Sequence, residues 1–147
     1  MKLTRYDEFQ LSIRHRIAFQ TMIITFIMIM ISGYVKTFYG TWANPMLEML
    51  VLIMIPAMYF STLSIAKNAY LQQKDQPALI IILMGLAAVL SGAAVTSNIL
   101  NGMFTLIENG QLSNQIGSLL LMIYSGGTAI ALLIRRTKNR RMMEKEE

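Results

Sequence analysis

Glu48 is the residue whose side chain offers the clearest prospect of chemistry, because it is the one acidic residue inside a predicted membrane span. It stands in the first turn of the second predicted helix, with Lys36 before it in the chain. A carboxylate there can bind a cation or carry a proton, or it can interact with the positive end of the helix dipole. Its position within reach of the lipid headgroups favours the dipole interaction.

Pro56, near the middle of the same predicted helix, is the second candidate. Proline has no backbone N–H, so the carbonyl of Leu52 loses its donor and a kink is expected. Such kinks line pathways in some membrane proteins and only pack in others. Glu48 and Pro56 together are therefore a candidate ion or partner site.

Metal and thiol chemistry have little basis in the composition. The chain has no cysteine and a single histidine, His15, between Arg14 and Arg16. Disulfides, thiolate nucleophiles and cysteine-ligated zinc are thereby excluded, and one histidine does not make a metal site. No nucleophile, base or set of ligands has the spacing of an active centre, so we expect no enzymatic activity and no cofactor.

Four apolar segments must position these residues. A helix rises about 1.5 Å per residue, so about 20 apolar residues cross the hydrocarbon core of a bilayer. The predicted spans are residues 17–35, 45–66, 78–100 and 113–134. Of 147 residues, 54% are hydrophobic and 14% are charged, which is more apolar surface than a soluble domain of this size can bury. The predicted fold is a single all-α integral membrane domain.

The first span, residues 17–35, is predicted to be retained as a signal anchor because it is longer than an ordinary signal-peptide core. Ile31 and Gly33 imitate a cleavage site, so removal is the alternative. The aromatic residues at or near the end of this span are typical of a belt at the membrane surface, and an aromatic ligand box is the alternative. They are Tyr34, Phe38, Tyr39 and Trp42.

Basic residues predict the orientation. Of the 13 Lys and Arg, four precede the first span, two lie between the second and third spans, six follow the fourth, and only Lys36 is on the opposite side. The positive-inside rule then places the tails 1–16 and 135–147 in the cytoplasm. We expect a multi-pass protein of the cell membrane with two antiparallel hairpins and both termini inside. The net charge of +5 is explained in the same way, without nucleic acid.

Small and polar residues at helical spacing predict the faces on which the spans pack. Small side chains let a neighbouring backbone approach closely. The predicted packing residues are Gly85, Ala88, Gly92 and Thr96 in the third span and Gly117, Tyr124 and Thr128 in the fourth. The short polar connection 67–76 predicts that the second and third spans are antiparallel neighbours.

A basic cluster follows the fourth span. It consists of Arg135, Arg136, Lys138, Arg140 and Arg141. Each charge near the surface is worth about 1 kcal/mol toward anionic lipid headgroups. A plain stop-transfer role explains the cluster equally well.

The architecture from Arg14 to Arg141, with hairpin pairs and basic ends, resembles the small four-helix membrane proteins of unknown function common in bacteria. This resemblance includes no diagnostic motif and implies no functional residue. The chain also looks superficially like the small multidrug exporters, which have four short helices and depend on a carboxylate in the first span. Residues 17–35 contain no carboxylate, and this departure argues against an exporter.

The sequence contains many residues suited to helix packing and no set of residues with the spacing of an active centre. This favours an accessory, regulatory or assembly subunit of another membrane protein. The alternative is a small oligomeric transporter or channel with Glu48 and Pro56 on its path. The expected partners are the bilayer, anionic headgroups, and another membrane protein or further copies of the chain. The sequence identifies no substrate, partner or oligomeric state.

Overall fold

Four long helices make up most of the protein in the computed structural model, which describes residues 8–67, 69 and 77–143. They are α1 (Glu8–Tyr39), α2 (Pro45–Ala66), α3 (Pro77–Leu100) and α4 (Gln115–Met143). Each contains a segment long and apolar enough to cross a membrane. The prediction of an all-helical chain with four helices of membrane-spanning length is thus confirmed.

The helix bounds differ from the predicted spans at both ends of the chain. Helix α1 begins at Glu8 and ends at Tyr39, whereas the predicted span covers 17–35. Helix α4 continues to Met143. Hydropathy marks the apolar part of a helix only, and Arg and Lys are good helix formers that extend it beyond that part. Parts of both predicted tails are therefore helical, and residues 1–7 and 144–147 lie outside the described residues.

The start of α2 is fixed by Asn44 and Pro45. The Asn44 side-chain oxygen accepts a hydrogen bond of 3.0 Å from the backbone N–H of Met46, and Pro45 occupies the first helical position. Asparagine is a strong cap, and proline lacks the N–H that would have no partner there. This start sets the rotation of α2 and so the direction in which Glu48 points from its first turn.

A small antiparallel hairpin lies between α3 and α4, formed by β1 (Ile107–Glu108) and β2 (Gln111–Leu112). Asn109 and Gly110 connect the strands with φ values of 53° and 77°. Two consecutive left-handed residues are what the commonest two-residue hairpin turn requires, and Asn-Gly is its preferred sequence.

The helices pack in the order α1, α2, α4, α3. Extensive contacts join α1 to α2, α2 to α4, and α4 to α3, while any other pair in the described part of the chain has at most a marginal contact. The prediction that the second and third spans are neighbours is wrong, since α3 packs on α4 instead of α2. The physical reason is that α3 and α4 present small residues to each other, which allows a closer approach.

Few side chains are fully buried, and large apolar side chains remain exposed on most helices. Met30 of α1 is 75% exposed and Val89 of α3 is 68% exposed. Contiguous apolar exposure of this extent is unusual for a protein in water and ordinary for helices that face lipid tails.

Candidate functional site

Four polar side chains meet where α1 ends and α2 begins, and we call them the polar clasp: Ser32, Lys36, Trp42 and Glu48. Ser32 and Lys36 are four residues apart on α1 and therefore share one helical face. Glu48 comes from the first turn of α2, and Trp42 comes from the connection between the two helices. The short connection and the Asn44 cap bring these elements together.

Both oxygens of the Glu48 carboxylate have partners from α1. The Ser32 hydroxyl donates a hydrogen bond of 2.6 Å to Oε1, and the Lys36 ammonium forms an ion pair with Oε2. The Trp42 indole N–H donates to the Ser32 hydroxyl oxygen at 3.1 Å. The Glu48 side chain is only 5% exposed, whereas that of Lys36 is 38% exposed. The clasp is a closed, charge-neutral network with one end at the surface.

This geometry changes the interpretation of Glu48. The sequence favoured an interaction with the helix dipole, with Lys36 nearby, over a cation or proton site. In the structure the carboxylate is engaged by Lys36 and Ser32, so a cation binding there would have to displace the ammonium. Within the described residues, no group of three or more His, Cys, Asp or Glu is placed to hold a metal ion.

The hairpin between α3 and α4 forms hydrogen bonds with the α1–α2 connection that carries Trp42 of the clasp. The backbone N–H of Leu112 donates to the Trp42 carbonyl at 2.8 Å. The Gln111 amide donates to the Thr41 hydroxyl at 2.6 Å. These bonds tie the α1–α2 connection to the second half of the chain, so the position of the indole depends on both halves.

Sequence reasoning missed Ser32 and the role of Trp42. Trp42 was expected in an aromatic belt, and Ser32 was not singled out. The spacing of Ser32 and Lys36 was an available signal for a shared face, but their contact with Glu48 depends on how the connection turns. The hairpin had a clear signal in Asn109-Gly110, which is the strongest short-range indication of such a turn.

An apolar cleft of about 260 Å³ opens beside the clasp, between α1 and α2. Helix α1 contributes one wall and helix α2 the other, and Trp42 of the connection between them also lines it. Its lining residues are Met28, Ile31, Ser32, Val35, Trp42, Val51 and Leu52. Among these residues, Ser32 contributes a hydroxyl, which already donates a hydrogen bond to Glu48.

Pro56 is buried within α2, which continues as a helix on both sides of it. It lies about two turns beyond Glu48 and is not a member of the clasp. The carbonyl that it deprives of a donor belongs to Leu52, whose side chain lines the apolar cleft. Pro56 therefore lies apart from the carboxylate with which the sequence grouped it, and its link to the cleft is the missing hydrogen bond to the Leu52 carbonyl.

Predicted packing residues of α4 face α2. A Cβ atom added to Gly117 would lie 3.6 Å from a methyl carbon of Leu47. The Tyr124 hydroxyl lies 3.2 Å from the Ser61 hydroxyl, within hydrogen-bonding distance. Thr128 is buried and donates to the Tyr124 carbonyl of its own helix. Gly117 and Tyr124 thus contact α2 directly, while Thr128 satisfies its hydroxyl locally.

The predicted stripe on α3 is only partly engaged within this chain. A Cβ atom added to Gly126 of α4 would lie 3.7 Å from the Cβ of Ala88, and one added to Gly92 would lie 3.5 Å from a methionine sulfur of α4. A Cβ atom added to Gly85 would have no neighbour within 4 Å. Thr96 is exposed and donates to the Gly92 carbonyl at 2.9 Å. The stripe therefore touches α4 along its middle and leaves Gly85 open.

The basic cluster begins with a residue that contacts another helix. The Arg135 guanidinium donates to the Ile65 carbonyl at 3.4 Å, in the last turn of α2. Helix α2 has no basic residue of its own in that turn, and a cation there complements the negative end of the helix. Arg136 is exposed. The side chains of Lys138, Arg140 and Arg141 lie outside the described residues.

The chain matches no protein-family model, no curated protein and no solved structure.

Proposed function

We propose that the protein is a multi-pass membrane protein without chemistry of its own that serves as an accessory, regulatory or assembly subunit of another membrane protein. The observation that carries this proposal is the helix order α1, α2, α4, α3. The helices at the two ends of this row each have one extensive neighbour in the described part of the chain. Their remaining faces are available to other helices as well as to lipid.

Helix α3 offers the better surface for a partner helix. Gly85 has no neighbour within 4 Å, and Ala93, Ala94 and Ser97 are exposed on other sides of the same helix, so α3 has small residues open on more than one face. Small side chains permit the close backbone contact on which association within a bilayer depends, because lipid tails leave no hydrophobic driving force between helices. By contrast, α1 exposes bulky residues such as Phe26 and Met30, which suit lipid tails.

The test is purification from native membranes in a mild detergent, followed by mass spectrometry of the proteins that accompany the chain. We expect a second membrane protein in a fixed ratio. Gly85→Leu is expected to remove this partner without lowering the thermal stability of the isolated chain, because a Cβ atom at this position has no neighbour within 4 Å. Ile82→Ala, which adds no bulk to the exposed face of α3, is the control and should retain the partner.

Purification of only identical copies would contradict the proposal and favour the alternative, an oligomeric transporter or channel. The observation that favours this alternative is a buried carboxylate, Glu48, inside a helix of membrane-spanning length. Proton or cation flux through vesicles containing the wild-type protein, lost in a folded Glu48→Gln variant, would support it.

We further propose that the chain lies in the cell membrane as two antiparallel hairpins with both termini in the cytoplasm. The asymmetry of Lys and Arg supports this orientation. Because the chain has no native cysteine, a single introduced cysteine reports one position. In intact cells, an impermeant thiol reagent should label Glu108→Cys on the hairpin and leave Thr137→Cys of α4 unlabelled until the cells are opened. The reverse pattern would contradict the orientation.

A further inference from the structure

We infer that the apolar cleft between α1 and α2 holds an acyl chain of a phospholipid, with the lipid phosphate beside Lys36. This inference requires insertion in a membrane, but it does not require the proposed partner protein. It concerns a lipid site at the end of α1 and the start of α2, away from the basic cluster of α4.

The walls of the cleft select hydrocarbon. Five of the lining residues are aliphatic or methionine: Met28, Ile31, Val35, Val51 and Leu52. The polar groups of the other two are already bonded, because the Trp42 N–H donates to Ser32 and the Ser32 hydroxyl donates to Glu48. A polar ligand would lose its hydrogen bonds to water without replacement, which is unfavourable.

The charge balance of the clasp argues against a lipophilic cation as the occupant. A buried carboxylate beside an apolar cleft would attract such a cation if it were unpaired. The ion pair with Lys36 cancels the charge of Glu48, and the Ser32 hydroxyl occupies its second oxygen. A neutral hydrocarbon chain is therefore the better match for the cleft.

The size and position of the cleft fit a lipid chain. Apolar cavities of about 150 Å³ hold benzene, so a cleft of about 260 Å³ accommodates a longer stretch of hydrocarbon. Its walls belong to segments of α1 and α2 that are long and apolar enough to cross a membrane. Trp42 lines the cleft from the connection between α1 and α2 and is a residue type that prefers the headgroup level, whereas the other lining residues belong to the helices themselves, so we expect the cleft to extend from Trp42 toward the membrane interior.

Lys36 supplies the contact for the headgroup. Its side chain is 38% exposed although it pairs with Glu48, so the ammonium remains accessible. An ammonium has three donors, and only one of them is needed for Glu48, so the others can donate to the phosphate oxygens of a lipid headgroup. A phospholipid thus places its chain in the cleft and its phosphate at the exposed side of the clasp.

The test uses the purified full-length chain in vesicles of phosphatidylcholine and phosphatidylglycerol that contain phosphatidylglycerol with a photoreactive diazirine on one acyl chain. After irradiation, mass spectrometry of peptides locates the adducts. We expect adducts on the α1 and α2 walls of the cleft to exceed those at Val89 of α3 by about threefold, which corresponds to about half of the free energy that gives a tenfold ratio. Val89 is itself 68% exposed, so exposure alone predicts the opposite ranking.

Two comparisons sharpen the result. Val51→Trp fills the cleft and should abolish the excess of adducts, whereas Val89→Trp, the same change on a lipid-facing surface, should leave it intact. Diacylglycerol carrying the same diazirine should give a smaller excess, because it has no phosphate for Lys36. If the adduct yields in the wild-type protein rank simply by side-chain exposure, the inference is overturned, whether or not the Val51→Trp variant folds. Equal labelling by the two lipids would overturn the role of Lys36.

The lipid result and the partner result are separable. The labelling uses isolated protein, so absence of a co-purifying partner does not affect it. Conversely, a partner bound at α3 does not require lipid between α1 and α2.

Discussion

Glu48→Gln is expected to lower the free energy of unfolding of the detergent-solubilised protein by about 2 kcal/mol, below the 3 to 5 kcal/mol typical of a fully buried pair. The substitution keeps the size of the side chain, so the loss arises from the polar clasp. One terminal atom becomes an amide N–H₂, and in either orientation of the amide it faces a group that donates to the carboxylate, Lys36 or Ser32. The expected loss of stability is smaller than for a fully buried pair because Lys36 is partly exposed and its ammonium can turn toward water.

Thermal unfolding of matched variants would measure this effect. Glu108→Gln makes the same chemical change on the exposed hairpin and should be nearly neutral. The double variant Lys36→Gln with Glu48→Gln should be more stable than Glu48→Gln alone, because no unpaired charge remains. An equal, small effect at positions 48 and 108 would contradict the importance of the clasp. That small effect, about 0.3 to 1 kcal/mol, is what an interaction with the helix dipole alone predicts.

Gly126→Leu is expected to destabilise the protein by about 1 to 3 kcal/mol, the usual cost of inserting bulk into a packed contact. A Cβ atom at Gly126 already lies in van der Waals contact with the Cβ of Ala88, at 3.7 Å. The further atoms of a leucine extend beyond this Cβ, so we expect α3 and α4 to move apart. Gly126→Ala should be tolerated, because it adds only the atom that fits.

The adjacent glycine provides the control. A Cβ atom added to Gly127 has no neighbour within 4 Å, and the residue is exposed. Gly127→Leu should leave the unfolding temperature unchanged or raise it slightly, since leucine is a better helix former than glycine. Gly92→Leu should fall between the two, because the atom it meets belongs to the flexible side chain of Met122. Equal destabilisation at positions 126 and 127 would contradict this packing arrangement.

The sequence was sufficient for the four helices because their apolar segments are long and uninterrupted. It also predicted the start of α2, where Asn44 and Pro45 act by local chemistry alone. It did not predict where α1 begins or α4 ends, because the charged residues that end an apolar segment still favour a helix. Local signals thus determined the elements but not their full extent.

The helix order could not be predicted because it depends on comparisons between distant segments. Small residues occur on both α3 and α4, and nothing in either segment states which neighbour each will meet. The same limit applies to the clasp. The sequence placed Lys36 near Glu48, but Ser32 and Trp42 join them only through the turn of the connection and the bond from Leu112.

The helix order has a consequence for synthesis. The ribosome completes α3 before α4, yet α3 has no extensive contact with α1 or α2 within the described chain. In the proposed membrane setting, α3 therefore has to wait beside them for α4. During this interval, the Ser61 hydroxyl and the Ile65 carbonyl lack the α4 groups that meet them in the finished protein. Packing of α4 is the step that joins the two halves, so a nascent chain halted before it would keep α3 apart from the α1–α2 pair.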